Sequence, residues 1–141
     1  MTVIKRNLAF AAAGWVFVCV GATSARADAI DSALLGAWTT YAADCNKLFD
    51  RRGGAVALRS PIDKFAQAVI IDPRQIRTPA SICRVKTVQK ADNAFTINAE
   101  CEDSISYTPV TMRVKLQAPG TLVYSPSGDP ALDTTLVRCV R

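Results

Sequence analysis

The sequence contains no histidine, and only 7% of its 141 residues are aromatic. Without histidine, no imidazole can act as a general acid or base or bind zinc in this chain. The pair Gly53-Gly54 has neither the dinucleotide-binding nor the Walker spacing, so no phosphate-binding loop is present. With 50% apolar and 21% charged residues, the composition is that of one globular domain rather than a disordered chain.

The remaining candidate catalytic groups have structural explanations. Glu100 and Glu102 have the spacing of one strand face, but Cys101 between them is predicted to point inward, which leaves both carboxylates in solvent. Asp129 and Asp133 flank a loop without the alternating oxygen donors of a calcium site. We therefore predict that the protein is not an enzyme and holds neither a metal ion nor a cofactor.

The first 27 residues have the pattern of a secretory signal peptide. Lys5 and Arg6 form a basic start, an apolar core follows over residues 8–20, and Ala25-Arg26-Ala27 is typical of a cleavage site. The apolar core is shorter than the roughly 20 residues of a membrane-spanning helix, although an uncleaved anchor is an alternative. We predict cleavage after Ala27, a periplasmic or secreted product, a single β domain over 28–141 and no membrane insertion of that domain.

Much of the net positive charge lies in this predicted signal peptide. The chain has 17 basic and 12 acidic residues, and the signal contributes three basic residues and no acidic one, which leaves 14 and 12. The resulting charge of +2 gives little electrostatic reason to expect nucleic acid or anionic lipid as a partner. We expect a soluble monomer.

Four cysteines remain after the predicted signal, namely Cys45, Cys83, Cys101 and Cys139. An even number in a small exported domain indicates two disulfides. Cys83 and Cys101 lie equally far from Asp92, the centre of a predicted hairpin, so they should face each other; Cys45 with Cys139 follows by elimination. A redox role is not expected, because the chain has no Cys-x-x-Cys motif.

The predicted hairpin joins two alternating segments, 81–90 and 94–101. Its connector, Ala91-Asp92-Asn93, contains the residue types that favour tight turns. The same register places Arg84 opposite Glu100 on the outer face, which predicts an ion pair between them.

Short strands with alternating apolar faces account for most of the remaining chain. In the longest of them, Val110, Met112, Val114 and Leu116 share one face. Segment 30–35 suits one helical turn, and 44–49 is compatible with either a short helix or a strand. Seven to nine short strands at this spacing predict a small antiparallel barrel or sandwich.

The segment Gly36-Ala37-Trp38 resembles the G-x-W signature of lipocalin-like barrels, including small periplasmic barrels of Gram-negative bacteria that inhibit proteases or lysozymes. The resemblance implies that Trp38 closes one barrel end beneath an arginine of the last strand, here Arg138 or Arg141. It covers little beyond residues 34–45 and the strand pattern. Four cysteines instead of a single disulfide depart from the protease inhibitors, and the segment 127–130 lacks the tyrosine of the lysozyme inhibitors' Ser-Gly-x-x-Tyr.

Two surface features are candidate partner sites. Arg84, Lys86 and Lys90 are predicted on the outer face of one strand, and Arg113 and Lys115 on that of another. If the strands are neighbours, these side chains form a basic stripe for an anionic glycan or an acidic protein, although lysines on strands also protect sheet edges. The polar loop with Ser127, Gly128 and Asp129 suits insertion into a partner's cleft, although most such loops only connect strands.

Three functions are compatible with these observations. We favour an exported, non-catalytic binding module that inhibits a hydrolase through an exposed loop. A carrier of a small apolar ligand is the alternative and requires a hollow barrel, whereas the few aromatic residues and the narrow interior of an eight-stranded barrel favour a filled one. The third is a structural or envelope-stress protein without a specific ligand.

Overall fold

The computed structural model describes residues 29–139 and contains ten β-strands. Eight of them close into an antiparallel barrel in the order β1-β10-β9-β8-β7-β6-β5-β4, and β2 and β3 form a separate hairpin. The strands are β1 Gly36–Thr39, β2 Phe49–Arg52, β3 Ala55–Leu58, β4 Ala68–Asp72, β5 Gln75–Arg77, β6 Ile82–Ala91, β7 Ala94–Glu102, β8 Tyr107–Ala118, β9 Thr121–Ser125 and β10 Thr134–Arg138. Of the two predicted architectures, the barrel is confirmed.

Four short helical segments accompany the strands. Three are 3-10 turns, at Ser32–Leu34, Ala42–Asp44 and Pro130–Leu132, and one is a single α-helical turn, Cys45–Leu48. Asp31 caps the first of them by accepting a hydrogen bond from the Ala33 N–H at 2.9 Å. The ambiguous segment 44–49 therefore divides into a helical turn followed by the start of β2. Within residues 29–139, no helix has the length and apolar content to cross a membrane.

Alternation along β7 and β8 supplies much of the barrel interior. On β8, Met112 and Val114 are buried while their neighbours are exposed, and β7 alternates in the same way through Phe95, Ile97 and Ala99. Side chains at alternate positions of a strand point to the same face, so these residues form one continuous core with Trp38, Ile71, Leu122 and Leu136. The predicted apolar face of residues 110–116 is confirmed.

The β2–β3 hairpin covers the outer face of β1 and β4. It forms a second, smaller core in which Phe49 packs with Ala37, Ala68 and Ile70. Strand β4 is therefore buried on both faces, which explains why residues 68–71 are continuously apolar rather than alternating. The strand begins at Ala68, and Phe65 before it is exposed.

Both predicted disulfides are present. Cys83 and Cys101 lie opposite each other on β6 and β7, with their Cα atoms 3.8 Å apart. Cys45 and Cys139 have a Cα separation of 5.6 Å and join the helical turn before β2 to the end of β10. Two disulfides in so small a domain indicate an oxidising, extracytoplasmic compartment. The predicted signal peptide and its cleavage site lie outside the described residues.

The β6–β7 hairpin differs from the prediction at its turn. Ala91 pairs with Ala94, so the connector has two residues rather than three, and Asp92 adopts a left-handed φ of 55°. A bulge between Val85 and Thr87 inserts one extra residue into β6 and shifts the register. The shorter turn and the bulge offset each other, which is why Cys83 still faces Cys101.

Candidate functional site

The two ends of the barrel differ in construction. One end collects the β4–β5, β6–β7 and β8–β9 turns and the first 3-10 turn, and we call it the closed end. The other collects the longer connections, and we call its residues 60–67, 78–82, 102–107 and 126–133 the rim.

The closed end is filled by Trp38, which is completely buried. Its indole N–H donates a hydrogen bond to the Leu34 carbonyl at 2.8 Å. The Arg138 guanidinium lies over the ring, 4.6 Å from its centroid, and donates to the Ala33 carbonyl. Of the two arginines that the resemblance suggested for this position, Arg138 occupies it, and Arg141 lies outside the described residues. Gly36 begins β1 with a φ of 133°, a conformation that favours glycine.

The rim end contains a cup with a volume of about 520 Å³. Its wall consists of inward-facing side chains from five strands, among them Val69, Val110, Met112 and Tyr124, together with the Cys83–Cys101 disulfide. Its mouth is bordered by Phe65, the loop 78–81, Asp103 and Pro126. A predominantly apolar concavity of this volume is the usual form of a small-molecule site.

Tyr124 supplies a polar group to the cup. The side chain is 8% exposed, and its hydroxyl donates to the Met112 sulfur at 3.4 Å. Burial raises the pKa of Tyr124 to about 12, so the hydroxyl keeps its proton at physiological pH. Because a thioether is a weak acceptor, an oxygen or nitrogen acceptor on a ligand would be a stronger partner for this hydroxyl.

The predicted basic stripe does not form. Strand β7 lies between β6 and β8 and separates Arg84 and Lys86 from Arg113 and Lys115. On β7, the Asn98 amide N–H donates to Thr87 Oγ1 at 2.9 Å, and the Asn98 carbonyl accepts from Thr111 Oγ1 at 2.8 Å. The outer face of β7, with Asn98 and Glu100, therefore lies between the two basic pairs.

Lys90 was expected on the outer face but lies on the inner one. The bulge on β6 changes the parity of the strand, so Lys90 pairs with the buried Phe95 and its ammonium lies 5.3 Å from the ring centroid. The same ammonium forms an ion pair of 2.7 Å with Asp31 at the closed end.

The expected ion pair between Arg84 and Glu100 is also replaced. The two residues are opposite in the register, but the Glu100 carboxylate lies 2.5 Å from the ammonium of Lys86, the residue at the bulge. It also accepts a hydrogen bond from the Tyr107 hydroxyl at 2.8 Å. The Lys86 ammonium, with a smaller effect of the Tyr107 hydroxyl, lowers the pKa of Glu100 below its ordinary value.

The loop with Ser127, Gly128 and Asp129 lies against the barrel. A Cβ at Gly128 would come within 3.1 Å of the Thr111 carbonyl oxygen, and Gly128 has a φ of 72°. The Asp129 carboxylate caps the 3-10 turn that follows by accepting from the Ala131 N–H. Both flanks of the loop are therefore tied to neighbouring structure.

The rim carries two features that the sequence analysis missed. Of the six large apolar side chains exposed among residues 29–139, five lie on the rim, and the sixth, Tyr41, follows β1 at the same end; the five are Phe65, Ile82, Ile105, Tyr107 and Leu132. The rim also carries five carboxylates and a single ammonium, Lys64.

The rest of the described chain has the opposite charge. Residues 29–139 contain 13 basic and 11 acidic residues, so the part outside the rim keeps 12 basic and six acidic ones. The rim thus has a formal charge of −4 and the remainder +6. The sequence gives one signal for an exposed apolar tip, which is Ile105 within the polar run Asp103–Ser106. The difference in charge between the rim and the remainder depends instead on which connections lie at the same end of the barrel.

No protein-family model, curated protein or solved structure matches this chain. Among residues 29–139, no group of three or more Cys, Asp or Glu side chains is arranged to hold a metal ion.

Proposed function

We propose that the protein is an exported, non-catalytic binding protein whose cup takes a small, largely apolar ligand with one hydrogen-bond acceptor. The cup at the rim end supports this proposal: its wall is mainly apolar, and Tyr124 offers a hydroxyl whose present acceptor is a thioether. Export is supported by the two disulfides and by the signal-like pattern of residues 1–27.

This proposal reverses our preference between the first two functions. A barrel packed with side chains throughout would favour the inhibitor, but the rim half of this barrel opens into the cup, and the core continues from the wall of the cup to Trp38. The loop with Ser127, Gly128 and Asp129, which was the candidate inhibitory segment, is held against β8 at Gly128. The filled half stabilises the fold, and the other half leaves room for a ligand.

Titration of the oxidised protein with Nile red, a neutral apolar fluorophore, tests the proposal. We expect saturable binding of one molecule. Val110→Trp, which places an indole in the cup, should weaken binding at least about tenfold, because it removes the volume that the ligand fills. Gln89→Trp adds the same side chain to the exposed outer face of β6 and serves as the matched control.

A second variant that fills the cup keeps the test valid if Val110→Trp does not fold. Ala80→Trp places the indole at the mouth, in a loop where the core is not disturbed. Absence of saturable binding, or equal affinities for both filled variants and the control, would refute the cup as the site. Tyr124→Phe should leave Nile red binding intact and weaken only ligands that accept a hydrogen bond.

Native mass spectrometry of protein purified from a bacterial periplasm addresses export and cargo together. The expected mass corresponds to cleavage after Ala27 and the loss of four protons through two disulfides. A reproducible additional mass of a small molecule, absent from the Val110→Trp variant, would identify the cargo. Retention of the signal residues in the purified protein would contradict the proposed cleavage.

A further inference from the structure

A patch on the outer side of the rim combines exposed apolar side chains with an unpaired carboxylate. Ile82, Glu102 and Tyr107 lie side by side on three adjacent strands, since Ile82 pairs with Glu102 and Glu102 with Tyr107. Ile82 is 46% and Tyr107 53% exposed. The Glu102 side chain forms no hydrogen bond or ion pair with any residue in 29–139. We call these three residues, together with Ile105, the rim patch.

Local contacts hold the tip of the rim patch in place. The Asp103 carboxylate accepts hydrogen bonds from the Ile105 N–H at 2.8 Å, the Ser106 N–H at 2.7 Å and the Ser106 hydroxyl at 2.9 Å. The Asp103 N–H donates to the Ser106 carbonyl at 3.1 Å. Ile105, which is 93% exposed, is therefore presented on a closed turn rather than on a loose loop. Binding through such a preorganised turn costs less conformational entropy.

A groove runs beside the rim patch. It has a volume of about 560 Å³ and lies between β3, at Ala57 and Leu58, and the start of the β7–β8 connection, with Ile82 and Glu102 on its wall. Arg77 also borders the groove, but its guanidinium is engaged by Asp72 at 2.9 Å and by the Val56 carbonyl at 3.1 Å. Asp103 borders the groove too, but its carboxylate is engaged by Ile105 and Ser106, so Glu102 is the charged group without a partner among residues 29–139 that the groove offers.

We propose that the rim patch is a docking surface for a protein or peptide that presents a basic side chain beside an apolar one. The basic group would pair with Glu102, and the apolar group would pack on Ile82, Tyr107 and Ile105. The formal charge of −4 on the rim attracts such a partner and steers its approach. Tyrosine is among the residue types enriched in protein interfaces.

Charge argues against two other occupants. An anionic lipid surface would be repelled by the five rim carboxylates. A second copy docked rim to rim would bring two acidic surfaces together, and a copy docked through the positively charged part outside its rim would make a head-to-tail contact rather than a two-fold symmetric dimer. The proposal does not depend on whether the cup holds a ligand.

Fluorescence anisotropy with a short synthetic peptide of lysine and leucine tests the proposal on the oxidised, signal-free protein. We expect saturable binding of this peptide, and no binding when its lysines are replaced by glutamate or its leucines by serine. Glu102→Gln and Ile105→Ser should each weaken binding about tenfold, which is the range for loss of a central contact.

Matched variants separate the effect of the rim patch from the effects of net charge and of nonspecific apolar binding. Gln89→Lys changes the net charge by the same +1 as Glu102→Gln on the outer face of β6, and Tyr41→Ser removes an exposed apolar side chain outside the patch. Both should bind the peptide like the parent protein. Equal losses in the controls and the patch variants would overturn the proposal, as would binding of the glutamate–leucine peptide.

Three further measurements sharpen the outcome. Glu102→Gln and Ile105→Ser should leave Nile red binding unchanged, so failure of the docking surface and failure of the cup are distinguishable. Flotation with phosphatidylglycerol vesicles that depends on Ile105 would overturn the choice of a protein partner in favour of a membrane. If the protein self-associates in sedimentation experiments and Glu102→Gln abolishes the self-association, the occupant of the rim patch would be a second copy, and the proposed partner would be wrong.

Discussion

The two ends of this barrel are built from the same strands, but one end excludes water from the core and the other opens to solvent. At the closed end, Trp38 is completely buried, its N–H donates to the Leu34 carbonyl, the overlying Arg138 guanidinium donates to the Ala33 carbonyl, and Lys90 is paired with Asp31. At the rim end, a cup of about 520 Å³ opens between exposed apolar side chains and five carboxylates. We therefore expect stability to depend mainly on the closed end and the proposed binding on the rim end, so a substitution at one end should leave the property of the other largely intact.

The two disulfides provide the largest test of this division. In the chain-entropy model, removing Cys45–Cys139, which spans 94 residues, costs about 4.5 kcal/mol, and removing Cys83–Cys101, which spans 18, costs about 3 kcal/mol. Only the second bridge lines the cup. Urea unfolding of the two Cys→Ala double variants should show this order of stability, whereas Nile red affinity should fall only for the Cys83/Cys101 variant.

Each disulfide variant serves as the control for the other. Loss of Nile red binding in the Cys45/Cys139 variant, measured under conditions where it remains folded, would show that the cup depends on the whole barrel. An equal loss of stability in both variants would contradict the chain-entropy account, since the two closed loops differ greatly in length.

Trp38→Ala should produce the next largest effect. Truncating a fully buried tryptophan costs about 3–5 kcal/mol through lost burial and the cavity that remains, and here it also removes the surface on which Arg138 rests. Tyr41→Ala, three residues further on but 68% exposed, is the control and should change the free energy of unfolding by less than about 0.5 kcal/mol. A loss below about 1 kcal/mol for Trp38→Ala would mean that the closed end does not stabilise the barrel.

Much of the closed end was accessible to sequence reasoning, and most of the rim was not. Alternation and turn residues are local properties, so the strand content and the inward face of residues 110–116 follow from the sequence. The pairing of Cys83 with Cys101 was predicted for an incomplete reason, because the turn is one residue shorter than expected and the bulge at Lys86 compensates. No local sequence pattern predicted that bulge. The bulge places Lys90 on the inner face and brings Lys86 close to Glu100.

The set of residues that meet at the rim could not be predicted from the sequence, because it depends on the strand topology. Asp63, Glu102 and Asp129 are far apart in the sequence, and each has an ordinary place in a turn or at a strand end. They share one end of the molecule only because the strands close into a barrel in a particular order. The sequence instead suggested a basic stripe, which fails because β7 separates its two halves.

The smallest predicted effect compares one carboxylate from each end. Both Asp31 and Asp103 have a pKa below the ordinary value of 3.8, but for different reasons. The Lys90 ammonium is the main cause at Asp31, with a smaller effect of the Ala33 N–H. At Asp103 the cause is hydrogen bonding from the Ile105 N–H, followed by the hydroxyl and the N–H of Ser106. One carboxylate is thus held by a charge and the other by neutral donors.

A carboxyl group whose pKa is lower in the folded than in the unfolded state stabilises the fold above the unfolded value and loses that contribution as pH falls through the folded one. Asp31→Asn and Asp103→Asn should therefore each reduce the decline in urea midpoint between neutral pH and a pH below 3.8. In about 1 M salt, where the Debye length is roughly 3 Å, the contribution of Asp31 should shrink, whereas that of Asp103 should persist, because only the first depends on a charge. Asp92→Asn removes one exposed carboxylate from a turn and controls for net charge. Equal salt sensitivity of the two variants would contradict the distinction between Asp31, which is held by a charge, and Asp103, which is held by neutral donors.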